Sequence, residues 1–97
     1  MIEKENTMIV INAFAEVMVG KEDDFLTAAQ SLIEKTRQET GNQFYQLYQN
    51  NNQFVFVEYW QNQSAFDAHC KAEHFITFAE QAATLFAKPL RIESYSA

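Results

Sequence analysis

The hydrophobic positions of the chain switch repeatedly between two spacings, and the switches mark out its elements. Residues 8–18, MIVINAFAEVM, carry β-branched and large apolar side chains and predict a strand. After Gly20 comes an acidic turn, Glu22, Asp23 and Asp24, suited to the positive end of a helix dipole. Phe25, Ala29, Leu32, Ile33 and Thr36 then recur at helical spacing until Gly41 supplies a stop. Strands follow at 43–49 and 53–60, separated by Asn50, Asn51 and Asn52, which tolerate the left-handed backbone of a tight hairpin. Ser64 is placed to cap a short helix ending near 71, and Phe75, Phe78, Ala79, Ala82, Leu85 and Phe86 share one face of a further helical stretch. Pro89 closes that stretch, and residues 90–96 alternate as a last strand. The predicted order is βαββαβ, an α+β unit with an antiparallel sheet.

Helices of such a unit cover one sheet face, yet the first and third strands are apolar on both parities. Ile9, Ile11 and Ala13 oppose Met8, Val10 and Phe14; Phe54 and Phe56 oppose Val55, Val57 and Tyr59. Strands of this kind are buried on both sides, and 97 residues leave nothing to cover the second face. The expectation is a homodimer joined through the sheet, with the polar Asn12 near its seam.

Composition narrows the function. The chain is 47% hydrophobic and 14% aromatic with two glycines and one proline, enough for one well-filled core. Its net charge of −6 argues against nucleic acid and anionic membranes, both of which need clustered cations. Residues 52–59, NQFVFVEY, match the aromatic and Val positions of an RNA-recognition strand but lack its leading basic residue and its small positions. Residues 1–7 read as a polar N-terminal extension to a domain at 8–97. With no apolar signal core, no membrane-length run and one cysteine, Cys70, the expected compartment is the cytoplasm.

The residues become specific from Glu39 onward. Glu39-x-Gly41-Asn42-x-x-Tyr45-x-Leu47 precedes Phe54-Val55-x-Val57-Glu58-x-Trp60, then Ala65-x-x-x-His69-x-x-x-x-His74-Phe75 and Pro89-Leu90. Over residues 8–95 this resembles the antibiotic biosynthesis monooxygenase (ABM) family, in particular its small single-domain bacterial members. The resemblance implies a ferredoxin-like fold pairing into a dimeric α+β barrel. It also implies oxygenation of phenolic or quinol-like rings by O2 without a cofactor in some members, haem degradation or sugar-derivative isomerisation in others. The haem-degrading branch resembles this chain around Trp60 and Phe75, but carries Trp in place of His69 and its haem-ligating His in place of Ala79. Where the main branch often has Pro before the second His, this chain has Glu73.

His69 is the candidate base: a neutral imidazole accepts a proton near pH 7, and metal-free oxygenation needs an electron-rich substrate anion. The competing role is structural, a ring bonded to a backbone carbonyl. Glu58 lies on the parity of Phe54, Phe56 and Trp60, where a carboxylate needs a partner. It is placed either to orient a substrate hydroxyl or to pair with Arg37, Arg91 or a tyrosine. Phe56, Glu58, Trp60 and Tyr45 are the expected substrate-binding residues; whether Tyr45 joins them depends on the hairpin register. His69 and His74, five apart, would diverge by about 140° on a continuous helix and make a poor metal pair. The expectations are no metal, no cofactor, and a small-molecule substrate with O2. The other readings are a non-catalytic binding module and an isomerase.

Overall fold

The computed structural model describes residues 7–97, so the polar extension, Thr7 apart, lies outside the described residues. The elements run β1 (Ile9–Glu16), α1 (Glu22–Thr36), β2 (Asn42–Asn50), β3 (Gln53–Trp60), α2 (Gln63–Lys71), α3 (Glu73–Ala82) and β4 (Arg91–Ser96). The four strands form one antiparallel sheet in the order β2-β3-β1-β4, with the first and last strands of the chain side by side. This is the expected ferredoxin-like βαββαβ arrangement, its second helix divided in two.

Alternation along the strands decides which side the helices cover. Ile9, Ile11, Ala13 and Ala15 of β1 and Phe54, Phe56, Glu58 and Trp60 of β3 are all buried beneath them. Phe25 anchors α1: fully buried, its ring lies 4.6 Å from Phe54 and 5.7 Å from Phe78, and its burial contributes about 3 kcal/mol. Phe78 and Ala82 hold α3 against the same core, whereas Ala79 faces solvent instead of joining that face. Phe54 and Phe56 are therefore core residues, which removes the aromatic platform an RNA-binding strand would present.

The opposite face keeps its apolar character without a helix over it. Phe44, Tyr59, Val10 and Tyr95 line up in one row across the four strands, Phe44 and Tyr59 stacked at 4.9 Å. A second row runs Tyr48, Val55, Phe14 and Arg91, with the guanidinium 4.2 Å above the Phe14 ring. Asn12 lies in the middle row, paired with Val57 and Glu93.

Two local features were expected elsewhere. The α2 cap is Asn62, whose side chain accepts from the Ala65 amide at 2.9 Å; Ser64 already lies inside the helix. Asn50 pairs with Gln53, so the hairpin turns through Asn51 and Asn52, and Asn51 takes the left-handed φ of 56° that asparagine tolerates.

Candidate active site

Gly41 organises the site from outside it. Its φ of 92° closes the turn after α1, and an added Cβ would stand 2.7 Å from the Ala65 side chain. Only a glycine at 41 beside a small residue at 65 lets this turn lie against α2. Backbone bonds from Glu39 to Thr36 (3.0 Å), Asn42 to Glu39 (3.2 Å) and Gln61 to Gly41 (2.8 Å) hold the turn in place. Glu39 is thereby delivered to the C-terminal end of α2.

The chain breaks between α2 and α3 at Ala72, whose extended backbone (φ −71°, ψ 146°) interrupts the helix. Glu73 then starts α3, where its charge favours the helix N-terminus. The break overturns the divergence expected of His69 and His74. Instead of pointing 140° apart along one helix, they approach the same oxygen from two. His69 Nδ1 lies 2.7 Å and His74 Nε2 2.6 Å from Glu39 Oε2. A carboxylate oxygen only accepts, so both rings donate N–H to it, at the short distances of charge-assisted bonds.

That assignment leaves His69 Nε2 as the lone-pair nitrogen. The ring is 1% exposed, and Nε2 is enclosed with no hydrogen-bond partner among the described residues. It lines a mainly apolar cavity of about 30 Å³ between sheet and helices, together with Tyr45, Phe56, Glu58, Phe66 and Phe75. Burial holds its pKa below the usual imidazole range, against the opposing pull of Glu39. The ring is therefore a neutral, oriented acceptor at pH 7.

The opposite wall is acidic. Glu58 is 4% exposed and accepts from the Trp60 indole N–H at 2.9 Å, not from Arg37 or Arg91. Arg37 instead donates twice to the Tyr45 carbonyl (2.9 and 2.7 Å), and Arg91 pairs with Glu93. Burial pushes the Glu58 carboxyl up to about 7, the Trp60 hydrogen bond working against it and the Glu39 charge with it. Trp60 thus stands behind the cavity rather than in its lining, holding the carboxyl, with its ring 4.8 Å from that of His69.

Tyr45 does face the cavity. The two-residue turn at Asn51 and Asn52 fixes a regular register that sets it directly opposite Glu58, and its ring lies 5.6 Å from His69. Burial, then the nearby Glu58 charge, drives the phenol pKa upward, so its O–H stays a donor. All five sequence-derived site residues therefore line one cavity or support its wall. The residue given no role was Glu39. Its spacing to Gly41 was visible, but its pairing spans 30 residues to His69 and 35 to His74.

Glu39, His69 and His74 also form a potential cation-binding trio, and its fit is poor. Tetrahedral ligands at the usual 2.0–2.1 Å stand ~3.3 Å apart, but the carboxylate oxygen is 2.7 and 2.6 Å from the two nitrogens. A metal on His69 Nδ1 would also move its proton to Nε2, leaving a buried N–H with nothing to receive it.

The model of the family described as "Antibiotic biosynthesis monooxygenase" matches residues 8–81. YcnE of Bacillus subtilis (strain 168), a provisionally named monooxygenase, is 35% identical over 88 residues, covering 88% of this chain and 93% of its own. A conserved protein from Methanosarcina mazei Go1 superposes with a TM-score of 0.89 at 26% identity, over 98% of this chain and 97% of that one. A provisionally named antibiotic biosynthesis monooxygenase from Nitrosomonas europaea, 24% identical, has the same fold, with a TM-score of 0.91 over 96% of this chain and 91% of that one. No described helix is long and apolar enough to cross a membrane. With a match across most of its length, and a YcnE-like relative covered nearly end to end, the chain belongs to the antibiotic biosynthesis monooxygenase family.

Proposed function

We propose that the protein is a monooxygenase that uses O2 without a cofactor to oxidise a small phenolic or quinol-like ring, with His69 as the base. The observation that carries this reading is the enclosed, unpartnered Nε2 of His69, whose ring is held from behind by Glu39. The substrate O–H bond breaks as the Nε2–H bond forms, and the resulting anion is electron-rich enough to reduce O2. One oxygen atom becomes a ring carbonyl; the other leaves as water with the two hydrogens of the O–H and of the attacked C–H. Tyr45 and protonated Glu58 supply hydrogen bonds to oxygen on the ring, Phe56 and Phe75 its flat walls, and Trp60 holds Glu58 from behind.

A cavity of about 30 Å³ accommodates little more than water, so a ring enters only as side chains move aside. Ile92, half exposed at the cavity's β4 edge, marks the side facing solvent. The functional unit is a homodimer formed through the uncovered sheet face, a reading supported by its aromatic rows. Uptake of labelled O2 across a panel of phenols, hydroquinones and polyphenols with a free ring C–H, with one labelled atom in a new ring carbonyl and the other in water, tests the activity. A second reading, an isomerase, is favoured by Glu58: two proton carriers facing one cavity suit proton abstraction and return. Turnover of a panel substrate without oxygen uptake selects it.

A further inference from the structure

We propose that His74 is a positioning residue that competes with His69 for one oxygen of Glu39, tying the proton affinity of the buried ring to events at the protein surface. The proposal rests on the reading of His69 as the base.

Glu39 Oε2 accepts from both rings at nearly equal distances, so each donor draws on charge that would otherwise serve the other. The two rings sit in different surroundings. His69 is enclosed, whereas His74 lines a groove of about 270 Å³ between α1 and α3 and is reached by solvent. Lys35 from α1 and Glu73 from α3 share that groove. Around His69 the facing groups are Tyr45 from β2, Glu58 from β3 and Cys70 on its own helix. Among these groups, His74 alone holds an atom that also holds His69.

Taking a proton at Nε2 turns His69 into an imidazolium, and Glu39 supplies the countercharge. A neutral His74 leaves that pair balanced; a protonated His74 adds a cation to the same carboxylate and opposes it. After burial, the largest cause, His74 acts against charging of His69 while Glu39 favours it. A positive charge on the groove side of Glu39 therefore weakens the base inside.

The test follows both imidazoles by nitrogen and proton NMR through a pH titration of the intact protein. Wild type is compared with His74→Phe, His74→Gln and Glu39→Gln. His74→Phe gives His69 the whole carboxylate, and its midpoint should rise by on the order of one pH unit. His74→Gln still donates a neutral N–H, so the rise should be smaller. Glu39→Gln should lower it. A loss of packing alone would reduce the melting temperature without opposite shifts from the two sides of one hydrogen-bonded chain. An unmoved His69 midpoint in His74→Phe overturns the proposal, as does a fall; if that variant does not fold, His74→Gln decides by the same sign. The titration needs no substrate, so it stands apart from the oxygenase reading, which fails separately if no panel compound is turned over. With an active substrate, the acid limb of the rate profile should move upward with the His69 midpoint.

Discussion

Replacing Glu58 with glutamine should make the protein more stable at pH 8, and the size of the gain follows from where the carboxyl sits. Below about pH 4.5 the proton is held in both folded and unfolded chains, so ionisation costs nothing. Between 4.5 and about 7 the unfolded chain ionises while the folded one stays neutral. The folded state then binds more protons, and stability falls as pH rises; above about 7 the loss is complete. The interval from 4.5 to about 7, at ~1.36 kcal/mol per pH unit, is worth about 3 kcal/mol.

Glutamine keeps the shape and the oxygen that accepts from Trp60, and removes the titration. His69 has the opposite sign, since its lowered pKa makes stability rise with pH in the window below 6.5, so the wild type alone gives a mixed profile. The difference between the two proteins cancels that contribution. Urea denaturation at fixed protein concentration should show Glu58→Gln gaining about 3 kcal/mol on wild type between pH 4.5 and 8. A difference that stays constant across the range refutes the burial argument.

Three other outcomes are expected. His69→Ala should lose at least about a hundredfold in oxygen uptake on any active substrate while remaining folded by circular dichroism; wild-type rates in the folded variant would remove the base assignment. Gly41→Ala, with a left-handed φ and a 2.7 Å clash to relieve, should cost about 3 kcal/mol in urea, and adding Ala65→Gly should recover the part due to the clash but not the part due to φ. Light scattering at micromolar concentration should give about twice the 11.3 kDa of one chain, and a value near one chain would leave the aromatic sheet face without its proposed cover.

The fold was legible because β1 and β3 are short β-branched and aromatic runs, and because Gly41 and the asparagines between β2 and β3 mark turns that few other residues allow. The parity of Glu58 with Phe54, Phe56 and Trp60 read correctly for the same reason: side chains on a strand repeat every two residues. The depth of Tyr45 did not, since it depends on which two of the three asparagines form the turn, and a slip of one residue turns every β2 side chain to the other face. The two histidines were misread through an unbroken helical ruler. The helix was expected to end near 71, but the spacing of five was still measured as if along one helix, and nothing in the sequence gives the direction α3 takes after Ala72. Glu39 was the larger miss, being recognisable only once Gly41 and Ala65 are seen to touch.

Trp60 gives the site an internal lamp. It is the chain's only tryptophan and fully buried, with its indole N–H on Glu58 and its ring against His69. All the tryptophan emission of each chain therefore comes from within reach of both proton-carrying groups. A charged imidazole quenches indole by accepting an electron, and ionisation of Glu58 shifts the colour of the emission through the field at the ring. A simple fluorescence titration separates the two events, intensity following His69 and wavelength following Glu58. A ring-shaped ligand entering the cavity would be seen by the same light before any chemistry was assayed.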